Sequence, residues 1–454
     1  MGRLLITFLF PAFLLSACQS KTESEISRAN LNAPKVQPVT ARLGMIGRVQ
    51  GLDPGQANDA ATLEEVSRVF ETLLTYDYFV RPYRLTPLLA AALPEANPEG
   101  LTYRIKLKSG VLFQDCTCFT ATGGRGRELT ASDVEYTFKR AADPQYSHAG
   151  WQALKGRIDG LDAWREAAMA VAKTDYAVPV SGLKILDRYT IEFSLRKAYV
   201  NFPFVLAMPS LDIVPREAVE AGGRSFGLSP VGTGPFLLAK LDPLNGIEWV
   251  RNPTFRSELA LDGLIIRFFS ESDAHWKAFD QGDLDLIEVP ASVFGEIFTP
   301  VKTIKPEHAK RGWNLHNPTR LDTTYLGFWM KDPVLGQSRA LRQAISLAIK
   351  PEILVDLFYN GRAVPAEGPI PPGMGGYDPK FKNAFRSFHL GRARELFSRT
   401  GLAEAFAKKP LTIGVETWRA GEKFGEMILK SLATIGISAE IRAFPWHELR
   451  AAIA

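Results

Sequence analysis

The stretch LTIGVETWRAGEKFGEMILKSLATIGISAEIRAF, residues 411–444, decides the class of the fold. Its first five residues and its last eight alternate apolar and polar side chains as strands do. Between them, residues 421–434 have the pattern of a helix. Strand, helix and strand in this order imply two parallel strands joined by a helical crossover. The segment therefore predicts an α/β fold.

Working outward, several earlier segments also have strand character. Two of them alternate apolar and polar residues, which predicts strands with one buried face. The candidates are LTYRIKL (101–107), YTIEFSL (189–195), GIEWV (246–250) and LIIRFF (264–269). These short strands predict antiparallel hairpins in addition to the parallel pair.

Helix starts are recognisable from capping patterns. Thr62 with Glu65 has the spacing of a capping box ahead of apolar residues that continue to Leu74. Thr130 with Asp133 predicts a second start of the same kind. A third helix is predicted over residues 341–349 by its apolar spacing, and a fourth over 351–361, opened by a proline and stopped by a glycine.

The bulk composition limits the class of function. The chain has 454 residues, of which 46% are hydrophobic and 23% are charged. This is enough apolar material for two or three domains. The net charge of +5 is small and its basic residues are scattered, so nucleic acid is not an expected partner.

The N-terminus has the pattern of an exported lipoprotein. A basic start precedes the apolar run Leu4–Leu15, which is too short for a membrane-spanning helix and ends in LSAC. We interpret residues 1–18 as a signal peptide with a lipobox whose Cys18 is acylated, and residues 19–40 as a flexible tether. The protein would then be periplasmic or at the cell surface, anchored by lipid to the inner or outer membrane.

Two further cysteines, Cys116 and Cys118, lie in FQDCTCF. Export would place them in an oxidising compartment, which allows a disulfide, although the C-x-C ring is small. The alternative, two half-buried thiols in a loop, is given equal weight. A metal site is not expected because no histidine lies nearby in the sequence.

Catalytic motifs are present only in fragments. GRSFG (223–227) matches the nucleophile-elbow string around Ser225, but a helix-like segment precedes it where a strand is required. WHELR (446–450) lacks the second histidine of a zinc motif. PVGTGPF (230–236) predicts a rigid turn that leads into a strand. We therefore expect no enzyme, no metal and no cofactor.

Taken together, the ordered motifs resemble bacterial extracellular solute-binding proteins of family 5, the peptide and nickel receptors of ABC importers. The matching strings are RVQGLDP (48–54), VFETLLTYD (69–77), residues 87–115, LTASDVEYTFKRAADP (129–144), PVGTGPF, RNPTF (251–255), QGDLDLIEVP (281–290), residues 325–354 and the segment 411–449. Each string alone is weak, whereas their common order is specific.

The resemblance implies a two-lobed α/β binding-protein fold, class II-like, with an inserted small domain. We assign residues 41–59 and 184–298 to lobe I, 60–183 to the inserted domain and 299–454 to lobe II. Lobes of this kind close over a ligand by hinge motion. The implied function is a monomeric receptor that binds peptides between the lobes and delivers them to the permease subunits.

The resemblance also implies ligand contacts. An extended peptide offers backbone donors and acceptors, which a strand edge can satisfy. The main chain of Arg48, Val49 and Gln50 would form this edge. Aromatic contacts would come from Tyr146 or Trp151 in the inserted domain and from Tyr325 and Phe328 in lobe II, with core packing as the alternative role for each ring.

The chain departs from the family pattern in two places. The loop of Cys116 and Cys118 replaces a D-G-T-P-F sequence and is followed by a short insertion, Thr120–Glu128. The sequence also ends at Ala454, before the family's segment that grips the peptide amine and returns to lobe I. We therefore expect a fragment of a longer protein, with lobe I lacking its C-terminal return and lobe II incomplete.

Three alternatives remain open at this stage. The first is a receptor for a non-peptide solute such as a nickel chelate or an opine. The second is a secreted serine hydrolase that uses Ser225. The third is a structural or chaperone-like lipoprotein without a small ligand.

Overall fold

The computed structural model describes residues 38–316, 319–416, 421–445 and 448–449. The strands of this part of the chain are β1 Thr40–Ile46, β2 Leu74–Tyr76, β3 Leu85–Pro87, β4 Glu95–Ala96, β5 Thr102–Lys106, β6 Leu183–Asp187, β7 Thr190–Ser194, β8 Phe236–Asp242, β9 Gly246–Arg251, β10 Gly263–Phe269, β11 Leu411–Glu416 and β12 Ala439–Phe444. The α-helices are α1 Ala60–Val66, α2 Ala131–Ala142, α3 Trp151–Leu154, α4 Leu161–Met169, α5 Phe202–Val205, α6 Arg216–Gly222, α7 Ser272–Asp280, α8 Phe294–Ile297, α9 Pro306–Ala309, α10 Arg339–Ala348, α11 Pro351–Tyr359, α12 Leu390–Ser398, α13 Ala403–Lys408 and α14 Gly421–Ala433.

A four-stranded sheet of order β1-β10-β9-β8 forms the base of the first lobe. The first strand, β1, pairs in parallel with β10, while β10, β9 and β8 are antiparallel neighbours. Ile247, Trp249 and Ile266 are buried because their side chains fall on the same face of the sheet. The pairing of β1 with a strand more than two hundred residues later makes this lobe discontinuous in sequence.

A second four-stranded sheet, of order β4-β5-β7-β6, packs against α2. The rings of Phe138 on α2 and Phe193 on β7 lie 4.8 Å apart. The domain boundary drawn after residue 183 falls inside this sheet, because β6 begins at Leu183 and pairs with β7, which pairs with β5. The boundary was wrong in this respect, since a domain built on this sheet extends at least to Ser194.

The segment that decided the fold class folds as the sequence predicts. Strands β11 and β12 are parallel neighbours, and α14 connects them and packs on both. Ile428 and Leu432 of α14 and Ile413 of β11 are buried in a second hydrophobic core that also includes α10, α12 and α13. The α/β expectation is therefore confirmed for this part of the chain.

The helix starts were predicted with mixed success. Thr130 and Asp133 form the expected capping box at α2. The box at Thr62 was wrong, because α1 begins at Ala60 and its N-cap is Asp59, whose carboxylate accepts a hydrogen bond from the Thr62 backbone N–H at 2.9 Å. The helix also ends at Val66, before Phe70 and Leu74, the last two apolar residues that the pattern assigned to it.

The PVGTGPF turn is a packing junction that leads into β8. Gly234 N–H donates to the Val69 carbonyl at 2.7 Å, and Gln114 N–H donates to the Gly232 carbonyl at 2.9 Å. A Cβ at Gly232 would overlap the Val69 carbonyl. Glycine is required here because two backbones approach each other closely.

Two separate hydrophobic cores organise the described residues. The first contains residues between Val49 and Ile266, and the second contains residues between Leu341 and Ile437. Between them, Arg311 forms an ion pair with Asp280 of α7 at 2.6 Å, and the ring of Trp313 lies 5.0 Å from that of Phe279. The chain thus contacts the first lobe again before it enters the second.

Candidate ligand site

Residues 48–50 offer free backbone groups next to the first core. Just before them, Gly47 N–H donates to the Phe269 carbonyl at 3.0 Å, and just after them Leu52 N–H donates to the Gly227 carbonyl at 2.8 Å. Within the part of the chain that the structure describes, the main chain of 48–50 itself makes no hydrogen bond. The segment is therefore fixed at both ends and has unused donors and acceptors in between.

The side chains of this segment alternate between core and solvent. Val49 is 0% exposed and anchors the segment, whereas Arg48 and Gln50 are exposed. Because β1 ends at Ile46, the segment is not part of a strand in the structure. An incoming extended chain could nevertheless pair with it, since its backbone groups are free.

A buried ion pair holds the turn that follows this segment. Both terminal nitrogens of Arg140 donate to the Asp53 carboxylate, at 2.9 and 2.5 Å, and both residues are buried. Burial acts to lower the pKa of Arg140, but the hydrogen bonds and charge of Asp53 outweigh it and the pKa is raised. Asp53 also accepts from Gly55 N–H at 3.0 Å, which holds the turn after the 48–50 segment.

The two candidate aromatic residues of the inserted region are partly engaged in packing. The Arg140 guanidinium lies 5.4 Å from the ring centre of Tyr146, which is half-buried. Trp151 begins α3, packs against the first core and has Arg165 at 4.8 Å from its ring. Arg140 therefore contacts both Tyr146 and Asp53. Trp151 has the core-packing role that the sequence analysis gave as the alternative to ligand contact.

The loop of Tyr146 is tied directly to the 48–50 region. Ala149 N–H donates to the Gly55 carbonyl at 2.7 Å. His148 packs so closely on Gly55 that a Cβ there would overlap its ring, and its Nδ1 accepts from Gly150 N–H at 3.1 Å. Burial, and next the charge of Arg140, lower the pKa of His148 to about 3, so its imidazole is neutral at physiological pH.

The other two candidates belong to the second lobe. Tyr325 is 80% exposed. Phe328 packs against the second core and lines a cavity of about 280 Å³. The remaining lining residues of this cavity are Arg339, Arg342, Gln343, Ser346, Asn383 and Phe385.

The structure therefore sorts the candidates into two groups. Tyr146 is linked to the turn after residues 48–50 through the Asp53–Arg140 pair, whereas Tyr325 and Phe328 lie on the second lobe. No hydrogen bond joins the two groups in the described ranges. Their common role as a ligand site stays a prediction.

Sequence reasoning missed Asp53 and Arg140. An arginine in the middle of a helix is normally solvated, and the aspartate of GLDP fits an ordinary turn. The available signal was local. Tyr136 and Thr137, one helical turn before Arg140, carry no charge that could pair with it, so a buried arginine at this position must find its partner elsewhere in the chain.

The remaining candidate motifs lie away from these groups. Cys116 and Cys118 are joined by a disulfide. Ser225 is exposed in a short 3₁₀ helix that follows α6, so the strand of a nucleophile elbow is missing at this position. Cys18 and the histidine of WHELR lie outside the described residues.

A search for metal and membrane features gives two further findings. Within the described ranges, no three acidic, histidine or cysteine side chains cluster in a way that could hold a metal ion. No helix in that same part of the chain has the length and apolar character needed to cross a bilayer.

Comparison with known proteins places these features in context. SapA of Escherichia coli, described as a probable ABC transporter periplasmic-binding protein, is 25% identical over 407 residues, which is 87% of this chain and 68% of SapA. A dipeptide-binding protein of Pseudomonas aeruginosa is 25% identical over 412 residues, covering 88% of this chain and 72% of that protein.

Solved structures show the same fold. OppA of Burkholderia pseudomallei aligns with a TM-score of 0.70 at 21% identity, over 91% of this chain and 77% of OppA. DppA of Helicobacter pylori, solved with the peptide STSA, aligns with a TM-score of 0.67 at 22% identity, over 91% of this chain and 75% of DppA. The expectation of a two-lobed α/β binding-protein fold is confirmed. Since the family model for the middle part of these proteins also matches residues 84–453, the chain belongs to the bacterial extracellular solute-binding proteins of family 5.

Proposed function

We propose that this protein is the peptide-binding component of an ABC importer. The observation that carries the proposal is the 48–50 segment, fixed at both ends and free in its backbone groups. Such a segment suits a ligand whose own backbone donors and acceptors do not depend on its sequence. The names of the relatives support the same class, since they include dipeptide-binding and di/tripeptide-binding proteins.

In this proposal, the peptide main chain pairs with Arg48, Val49 and Gln50, and Tyr146 lies beside it. The second lobe closes over the other side and contributes Tyr325 and Phe328. The exposed ring of Tyr325 would then become buried against the ligand. Aromatic contacts of this kind add affinity without requiring a particular peptide sequence.

Thermal unfolding in the presence of a peptide mixture tests this proposal. A ligand that binds only the folded state at one hundred times its Kd stabilises that state by about 2.7 kcal/mol. We expect active peptides to raise the melting temperature, and Gln50→Ala to retain the effect because the backbone is unchanged. A melting temperature unaffected by every fraction of the mixture would contradict peptide binding.

A second candidate is a receptor for a carboxylated solute that is not a peptide. It is favoured by the cavity of Phe328, where Arg339 makes no hydrogen bond or ion pair with another described residue and Gln343 and Ser346 add polar groups. Arg342 is partly engaged, since it donates to the carbonyls of Leu335 and Gly336. Arg339→Gln would abolish stabilisation by such a solute, whereas peptide binding at residues 48–50 would survive.

We also propose that Cys18 is acylated and that the protein acts as a periplasmic monomer without enzymatic activity. The support is the LSAC sequence and the membership in a family of solute-binding proteins. Metabolic labelling with palmitate should mark the protein and should be lost in Cys18→Ser. Ester turnover that disappears in Ser225→Ala would instead favour the hydrolase alternative.

A further inference from the structure

The hairpin of β2 and β3 ends in an exposed aromatic tip, residues 77–84. Tyr78 is 77% exposed and Phe79 is 88% exposed. Their rings contact each other edge to face, with centres 5.1 Å apart. Two adjacent large aromatic rings that are mostly exposed to water are unfavourable unless a partner covers them.

The tip is held rigidly in this conformation. The Asp77 carboxylate accepts from the backbone N–H groups of Phe79 and Val80, at 2.9 and 3.2 Å. The Arg81 guanidinium donates to the carbonyls of Tyr78 and Val80, at 2.8 and 2.9 Å. The rings are therefore exposed on an ordered turn that several hydrogen bonds fix.

The base of the hairpin extends the aromatic surface. Tyr76 lies with its ring centre 6.3 Å from Tyr83 on one side and 6.3 Å from Phe204 of α5 on the other. Both Tyr76 and Phe204 are themselves exposed. Below them, Leu74 is buried and its N–H donates to the Leu206 carbonyl at 3.2 Å, so the hairpin is attached firmly to the first core.

The charge of the tip is positive. Arg81 and Arg84 are exposed, and the only acidic residue of the tip, Asp77, is occupied by backbone N–H groups. Arg81 also lies 3.6 Å from the ring centre of Tyr83, so its charge is presented beside the aromatic surface. Exposed aromatic rings next to guanidinium groups match the polar–apolar boundary of an anionic bilayer.

We propose that this tip binds the surface of an anionic phospholipid bilayer. Tyr78 and Phe79 would enter the headgroup layer, and Arg81 and Arg84 would face the lipid phosphates. The tip is narrow, and specific protein interfaces bury about 800 Å² on each partner. A soft lipid surface therefore fits it better than a protein pocket, and the inference does not depend on which solute the protein binds.

Vesicle flotation of the full chain tests this proposal. The vesicles contain phosphatidylcholine alone or with about one third phosphatidylglycerol, because anionic lipid adds about 1 kcal/mol per nearby arginine. The variants are the double change Tyr78→Ser with Phe79→Ser, the single change Arg84→Gln, and a matched control, Val301→Ser, which alters an apolar side chain that is 79% exposed elsewhere. The reference protein and all variants also carry Cys18→Ser, which removes the proposed acylation site, so that a lipid anchor does not hide binding by the tip.

We expect the double variant to bind anionic vesicles more than about tenfold more weakly, since it lacks the two rings that would be buried in the headgroup layer. Arg84→Gln should lose about fivefold on anionic vesicles and little on neutral ones. Val301→Ser should bind as the unchanged protein does. Circular dichroism would establish that every variant is folded.

Two results would overturn the proposal. The first is equal vesicle binding by the double variant and the unchanged protein. The second is a double variant that keeps vesicle binding but loses binding to the importer reconstituted in neutral lipid. That second result would assign the tip to a protein partner instead.

Discussion

At the residue scale, the buried pair of Arg140 and Asp53 is joined by two hydrogen bonds near the candidate site. The pair lies between the loop of Tyr146 and the turn that follows residues 48–50. A buried ion pair contributes little net stability compared with a hydrophobic pair, but loss of one partner leaves a charge without compensation. The pair therefore fixes geometry more than it adds stability.

Asp53→Asn should lower the free energy of unfolding by about 3–5 kcal/mol, because Arg140 would keep its charge in a buried position. Chemical denaturation followed by tryptophan fluorescence measures this loss. Asp280→Asn is the matched control, since its ion pair with Arg311 at 2.6 Å is about half exposed and should contribute less than about 1 kcal/mol. Equal losses in the two variants would contradict the assigned role of the buried pair.

Asp212 provides a second test at the same scale. Its side chain is buried, its Oδ2 has no hydrogen-bond partner among the residues that the structure describes, and burial, followed by the nearby charge of Glu71, raises its pKa well above the ordinary value. The folded state then keeps a proton that the unfolded chain releases. Stability from this group is therefore greatest below the ordinary carboxyl pKa and declines as the pH rises toward the folded value.

The variant Asp212→Asn should remove this pH dependence, since an amide does not titrate. Melting temperatures measured from about pH 4 to pH 8 should fall more steeply for the unchanged protein than for the variant. Parallel curves would show that Asp212 does not hold its proton.

At the scale of single elements, the PVGTGPF turn shows how a short sequence controls packing. Thr233 donates from its hydroxyl to Glu71 at 2.8 Å, and Asn252 donates from its side-chain amide to the Gly234 carbonyl at 2.8 Å. The turn thus joins β8 to the chain after α1 through several buried hydrogen bonds. Its two glycines allow the close approach that these bonds require.

Gly232→Ala should destabilise the protein by about 1–3 kcal/mol, because the added methyl group overlaps the Val69 carbonyl and must displace backbone. Gly295→Ala is the control, since a Cβ there has open space and lies in α8. Thermal melts of both variants make the comparison. Equal melting temperatures for Gly232→Ala and the control would contradict the close backbone contact at this turn.

Sequence patterns predicted elements where local periodicity and packing agree. The β11–α14–β12 unit and the helix predicted over residues 341–349, which the structure has at Arg339–Ala348, were visible because their apolar residues are regularly spaced, and the cap at Thr130 was visible from its spacing to Asp133. The start of α1 was misplaced because Asp59 and Thr62 are both good caps, and the folded chain uses Asp59. Local sequence does not reveal which cap is used.

The candidate site was less accessible to such reasoning. The role proposed for residues 48–50 depends on their backbone groups having no hydrogen bond within the described part of the chain, which only the surrounding fold determines. The pairing of Asp53 with Arg140 joins positions 87 residues apart, and no local pattern encodes it. The predicted domain boundary after residue 183 was wrong for the same reason. It lies between β5 and β7, which are distant in sequence but pair with each other in one sheet.

At the scale of the whole molecule, two hydrophobic cores imply two units that unfold with some independence. The first includes Phe193 and the second includes Ile345, and both side chains are buried. Lobes that move about a hinge require this separation, because one continuous core would resist closure. Multidomain chains of this kind need not unfold in a single step.

Ile345→Ala should lower one calorimetric transition and leave the other nearly unchanged, since a cavity in the second core costs about 2–5 kcal/mol there alone. Phe193→Ala should affect the other transition. Scanning calorimetry of the full chain separates the two. A single transition that both variants shift equally would indicate one cooperative unit instead.

The most direct test of the account concerns hydrogen bonds between the peptide main chain and residues 48–50. A peptide that raises the melting temperature would be resynthesised with one N-methyl group at each position in turn, and its affinity measured by calorimetry. An unsatisfied buried partner costs about 1–3 kcal/mol, so we predict losses near tenfold or more at the positions that face this segment. Affinities unchanged by N-methylation at every position would contradict main-chain recognition.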